Sequence, residues 1–225
     1  MPSITKNLLI INILMFFATV VAERYGVVLE NYLALHYFGA DNFMPHQLLT
    51  YMFMHGGFSH LFFNMFALFM FGSVVERTWG ERKFLLYYLV CGVGAGLVQE
   101  VSQYVEFSAV LSNYKLVDIG EGIRVTVGEF LNLRKTVGAS GAVYGILLAF
   151  GVLYPNERLF IFPIPVPIRA KFLIIGYIVL ELYLAIANRP NDVVAHFAHL
   201  GGMLFGFILI MYWRNKRNRN VRGFR

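Results

Sequence analysis

The sequence predicts an all-α membrane protein, a bundle of six transmembrane helices. Three observations carry that prediction. Of 225 residues, 58% are apolar and 14% are charged, whereas a soluble domain is about 45–50% apolar and about 25% charged. This excludes both a water-soluble globule and a disordered chain. Six apolar runs stand near 7–27, 57–75, 84–99, 137–154, 171–188 and 193–213, and about 20 such residues cross a bilayer core. Finally, the basic residues sort by side. With both termini in the cytoplasm, thirteen of the nineteen Lys and Arg face inward, as the positive-inside rule requires.

Taken in order, each run is apolar all round rather than striped, the pattern of a helix in lipid. The first carries Glu23-Arg24 where a cleavable leader would have small residues, so it reads as a retained span. Some runs are short, which implies tilt or local thinning of the bilayer. Residues 28–56 join the first two spans, and "VLENYLALHYFGA" within them suits an amphipathic segment at the interface. Residues 100–136, with Glu100, Glu106, Asp118, Glu121 and Glu129, read as an extramembrane loop. The stretch "YPNERLFIFPIPVPIRAK" is too rich in proline to be helical throughout. The basic tail 214–225 reads as a stop-transfer flank drawn to anionic lipid, making membrane lipids a partner and nucleic acid not one. The whole chain, 1–225, forms one domain in this reading. Its single cysteine, Cys91, lies in an apolar run and has no intramolecular disulfide partner. No fixed-period repeat and no nucleotide-binding glycine motif is present.

Polar side chains inside spans are costly and therefore point to function. His60 and Asn64 lie in the second run, Ser140 in the fourth, and His199 in the sixth, with His196 as a fifth candidate. Spans two, four and six run in the same direction, and at about 1.5 Å per residue these groups fall within roughly 10 Å of one depth in the outer half of the bilayer. A lone serine in a membrane helix is ordinarily inert, bonded to its own backbone. Ser140, however, sits in "GASGAVYG", with Gly138 beside it and Gly141 and Gly145 in small-xxx-small spacing. The sixth run repeats that spacing at Gly202 and Gly206, directly after His199. Two glycine faces let helices approach closely, as a Ser–His hydrogen bond of about 2.6–3.2 Å demands.

His196 and His199 share a helix face, so spacing alone leaves both as the base. His199 is deeper and adjoins the glycine seam. His60 and Asn64, at i and i+4, face one way and both donate hydrogen bonds, the property needed where an oxyanion develops. Tyr144, one turn below Ser140, can stack on the His199 ring. Glu76 and Glu181 are expected near the inner side or mid-bundle, away from Ser140, so the arrangement reads as a Ser–His dyad without an acid. A haem or metal carrier built on paired histidines, the His-x-x-His of His196 and His199 with His55 and His60, is the sharp alternative. No His-Glu-x-x-His motif supports metal hydrolysis, and neither a metal nor a cofactor is expected.

These pieces together resemble the rhomboid family of intramembrane serine proteases: "HGGFSHLFFN" (55–64), "GSVVERTWG" (72–80), "GASGAVYG" (138–145) and "AHFAHLGGMLFG" (195–206). The resemblance runs from about residue 44 to 213, in order. It implies a six-helix rhomboid-like bundle around a water-accessible cavity, with Ser140 as nucleophile and His199 as general base and acid. It also implies an oxyanion hole of His60, Asn64 and the Ser140 backbone N–H. The substrates implied are membrane-anchored proteins cut in or near their transmembrane segment. The loop after the first span and the outer end of the fifth resemble the family's gating elements. A bacterial plasma membrane, with both termini cytoplasmic, is the expected location. The alternative within this fold is a catalytically silent protein that binds membrane helices. Two departures stand out: some members carry Trp-Arg in the first loop where this chain has His46-Gln47, and the 100–136 loop is longer than in compact members.

Overall fold

The computed structural model describes residues 1–111, 114–120, 122–161, 164–187 and 194–222. Glu121, Arg189, Arg225 and the run ends at 188 and 193 lie outside the described residues. Six principal helices correspond to the six apolar runs: α1 (Ser3–Arg24), α2 (Phe58–Trp79), α3 (Glu81–Val110), α4 (Ser140–Leu153), α5 (Ala170–Ala187) and α6 (His196–Arg222). Five of them are long and apolar enough to cross a bilayer, and α4, with 14 residues, falls short. The chain is a multi-pass helical membrane protein, and the fourth run expected to span forms this shorter helix.

The helices differ in burial because they differ in small residues. The interior of α3 presents Phe84, Tyr87, Tyr88, Cys91 and Ala95, all fully buried. Most of α4 is buried too, whereas α1 buries only Thr5, Leu8 and Asn12. Large apolar side chains of α1 and α5, such as Leu14, Phe17, Phe172 and Ile186, are exposed, which suits lipid rather than water.

Glycines set the closest approaches. A Cβ on Gly202 would stand 1.8 Å from the carbonyl oxygen of Gly141, so α4 and α6 meet backbone to backbone. Gly145 lies against Cys91, and Gly206 against the Tyr87 hydroxyl, both on α3. Tyr87 donates to the Gly145 carbonyl at 2.8 Å. Gly202 thus meets both Gly141 and Gly145 of α4, the latter with its Cβ position 3.1 Å from the Gly202 carbonyl oxygen, whereas Gly206 accommodates α3.

One end of the bundle gathers the start of α1, the α2–α3 corner and Trp213. Gly80, at φ +80°, makes that corner, a left-handed conformation that favours glycine. Trp79 packs edge-on against Trp213 and Tyr87. Glu76 accepts from the backbone N–H groups of Ile4 and Thr5 and from the Thr5 hydroxyl. It thereby satisfies donors that a helix start leaves open.

The opposite end holds the long connections. The segment after α1 forms a short helix, Glu30–Leu33, and a strand, β1 (Leu35–His36). A hairpin of β2 (Leu116–Asp118) and β3 (Arg124–Thr126) follows α3. It leads through helix Val127–Leu133, started by a Thr126–Glu129 capping box, to β4 (Lys135–Thr136). β4 pairs antiparallel with β1, Leu35 opposite Thr136. One correction arises here. The α3 helix continues past residue 99 to Val110, so Glu100 and Glu106 are helical rather than loop residues. Glu100 is buried and accepts from the Phe38 N–H at 2.6 Å, which ties the first connection to α3. The proline-rich stretch contains a hairpin, β5 (Arg158–Ile161) with β6 (Ile164–Arg169).

His46 and Gln47 anchor the first connection themselves. His46 Nε2 bonds the Tyr32 carbonyl at 2.8 Å, and Gln47 accepts from the His36 and Met44 N–H groups while donating to the Asn42 carbonyl.

Candidate active site

β4 delivers the chain to α4 through Gly138, whose φ of +128° favours glycine and whose N–H bonds the Tyr51 carbonyl at 2.9 Å. Tyr51 is in turn fixed by its hydroxyl to the Gly92 carbonyl of α3. Sequence reading overlooked this anchor. It settles where α4 begins, and Ser140 is its first residue. The other end of α4 meets the α2 end, where Thr78 and Tyr154 share a hydrogen bond of 2.6 Å. Fourteen residues rise about 21 Å, against about 30 Å of hydrocarbon. Ser140 thus stands short of the far face of the bundle.

At that helix start the Ser140 Oγ lies 2.9 Å from His199 Nε2. His199 is buried on the first turn of α6, and the Gly141–Gly202 contact holds its helix against α4. The Tyr144 ring stacks on the His199 imidazole, centroids 4.1 Å apart and planes 12° from parallel. A Cβ on Gly138 would stand 2.8 Å from His60 Nε2 and 3.6 Å from Ser140 Oγ, so both groups border one small space. Asn64, buried, donates to the His60 carbonyl at 2.9 Å. An amide carries two N–H groups, so this bond leaves a second. The five polar residues singled out from sequence thus lie on α2, α4 and α6, with Ser140 and His199 in contact.

One expectation fails. Glu181 is not remote from Ser140: its Oε2 lies 3.1 Å from His199 Nδ1 and 2.6 Å from His196 Nδ1, and its Oε1 accepts from the Tyr144 hydroxyl at 2.5 Å. The physical reason is that α5 and α6 are consecutive and antiparallel. A residue near the end of α5 therefore shares a level with the start of α6. His196 is thereby a partner of Glu181. Of the histidines in the metal alternative, His55 and His60 meet ring edge to face at 5.1 Å. Among the described residues, the group that brings three potential metal donors within 4.8 Å of one another is Glu181, His196 and His199. His196 Nδ1 is at hydrogen-bond distance from the carboxylate, whereas His199 Nδ1 faces it without a well-aligned hydrogen bond.

Burial pushes the His55 imidazole down to about 4, with the neighbouring His60 ring adding to the effect, so His55 is a neutral packing residue beside the site.

Comparison with known proteins places these residues in context. The family model for the Rhomboid domain matches residues 42–216. The chain is 33% identical over 161 residues to Rhomboid protease AarA of Providencia stuartii, covering 70% of this chain and 52% of that protein. It is 28% identical over 167 residues to the putative rhomboid protease YdcA of Bacillus subtilis, covering 73% of this chain and 67% of that protein. With GluP, a rhomboid protease of the same bacterium, identity is 30% over 162 residues, covering 72% of this chain and 24% of that protein. The chain thus spans about half of AarA and a smaller part of GluP. All four motif segments, from His55 to Gly206, fall inside the matched region, and the chain belongs to the rhomboid family.

Proposed function

We propose that this protein is a serine-type intramembrane endopeptidase that cleaves transmembrane-anchored proteins within or near their membrane segment. The observation that carries the reading is the 2.9 Å contact between Ser140 Oγ and His199 Nε2 at the start of a helix too short to span. In this reading an extended stretch of a substrate helix enters beside α4. His199 Nε2 takes the Ser140 proton as Oγ attacks the scissile carbonyl carbon. The tetrahedral oxyanion accepts hydrogen bonds from His60, Asn64 and the Ser140 backbone N–H, and the positive end of the α4 dipole favours the charge. His199 then gives its proton to the leaving amine. It next draws a proton from water, whose oxygen attacks the acyl carbon, and passes that proton to Ser140 Oγ as the acyl C–O bond breaks. Both termini lie in the cytoplasm of a bacterial plasma membrane, as the distribution of Lys and Arg supports.

The test uses a fluorophosphonate probe and a membrane-anchored reporter on the purified protein. Labelling maps to Ser140, and Ser140→Ala and His199→Ala each lose cleavage by roughly 10⁴-fold or more. Cleavage retained by either variant defeats the assignment. A wild-type chain that binds the reporter helix but neither cuts nor labels is the helix-binding alternative.

A further inference from the structure

We propose that Glu181 is a positioning residue for His199, so that the site operates as Ser140–His199–Glu181 rather than as a two-residue dyad. The inference rests on the protease reading above and adds a third member from α5.

Four contacts support it. The Glu181 Oε2 stands 3.1 Å from His199 Nδ1, on the side of the ring opposite the 2.9 Å contact from Nε2 to Ser140. The carboxylate is itself held: His196 Nδ1 lies 2.6 Å from Oε2, and the Tyr144 hydroxyl donates to Oε1. Tyr144 also stacks on the His199 ring, so one side chain fixes both the base and the acid behind it. Glu181 and His199 are both buried, where charge interactions are screened least.

The proton bookkeeping is simple. When Ser140 Oγ attacks, its proton moves to His199 Nε2, and the ring becomes a cation with an N–H on Nδ1. Glu181 stays ionised and faces that cation. When the leaving amine takes the Nε2 proton, the ring returns to neutral. Nδ1 lacks a well-aligned hydrogen bond in the resting structure despite the 3.1 Å separation. Contacts of this kind commonly tighten as charge develops. A carboxylate here also selects the tautomer with the proton on Nδ1, leaving Nε2 free to accept from Ser140.

The experiment compares wild type, Glu181→Gln and His196→Gln as purified full-length protein, with kcat and KM on the membrane-anchored reporter and thermal melting for each. Glutamine keeps the shape and can still pair with Tyr144 and His196. The expected result is a kcat lower by about 10²-fold or more in Glu181→Gln, with KM within twofold and melting unchanged. His196→Gln, which loosens the carboxylate but keeps it facing His199, should lower kcat less than Glu181→Gln does, and a loss as large as that of Glu181→Gln counts against the proposal. A Glu181→Gln protein that keeps wild-type kcat overturns the proposal. So does a loss of activity that tracks a rise in KM. If that variant does not fold, Tyr144→Phe decides, since it keeps the stacked ring and releases Oε1. A kcat down several-fold at constant KM supports the proposal, and an unchanged kcat overturns it. Wild type that fails to label at Ser140 sinks the protease reading itself, whereas normal labelling with an unaffected Glu181→Gln sinks only the third member.

Discussion

Glu76 and Glu181 are both glutamates buried among apolar helices, 2% and 4% exposed, and their oxygens meet different kinds of partner. Glu76 serves backbone. Two N–H groups and a hydroxyl at the start of α1 converge on it, none of which titrates near neutral pH. Glu181 serves side chains. Two imidazoles and a phenol converge on it, and one of those imidazoles touches Ser140. The first arrangement is a helix cap made from a distant residue and is complete as it stands. The second surrounds an acid with groups that change charge or donate protons. A buried carboxylate in a membrane helix is therefore not by itself a sign of chemistry. What its oxygens face separates a fastener from a working part.

The contrast can be broken by experiment, beginning with the largest effect. His199→Ala should remove reporter cleavage by roughly 10⁴-fold while the melting temperature stays close to wild type. A melting loss comparable to that of Glu76→Ala would erase the distinction. Next in size, Glu76→Ala strands three donors at the start of α1 and should cost about 3 kcal/mol of stability, read as a lower melting temperature in detergent. The protein that remains folded should keep its kcat, and a kcat deficit there would bring Glu76 into the chemistry. The smallest effect concerns pH at the Ser140 end. His55 is held neutral by burial down to about 4, whereas an exposed imidazole titrates near 6.5. Between these values the unfolded chain binds a proton that the folded chain refuses. The contribution is thus fully present above 6.5 and is lost as pH falls towards 4. Melting followed across this window should decline less in His55→Gln than in wild type, and parallel curves would refute the assignment.

Much of the bundle was legible because lipid imposes one requirement on every surface, and six apolar runs satisfy it. Where the chain leaves lipid that requirement lapses. The helix of α3 accordingly runs on to Val110, past the point where its apolar pattern stops. Ser140 and His199 were legible through their glycines, which betray a close approach before any coordinates exist. Glu181 was missed for a different reason. Its depth was judged on α5 alone, yet α5 ends at Ala187 and α6 opens at His196. Folding that pair into an antiparallel hairpin brings residue 181 level with the first turn of α6, and an ionisable residue within a span is a warning in its own right. The Tyr51 carbonyl that holds Gly138 left no trace in composition or spacing, because backbone acceptors are the same at every position.

The carbonyl of Gly141 rests where any side chain on Gly202 would have to go. Two positions on facing helices consequently fail in opposite ways. On the proposed protease reading, a change at 140 should leave an intact molecule that no longer cleaves, whereas a methyl group at 202 should wedge apart the two helices that bear Ser140 and His199. A survey of loss-of-function variants that ignored protein abundance would score the two alike. Measuring how much protein reaches the membrane separates a lost reaction from a broken frame.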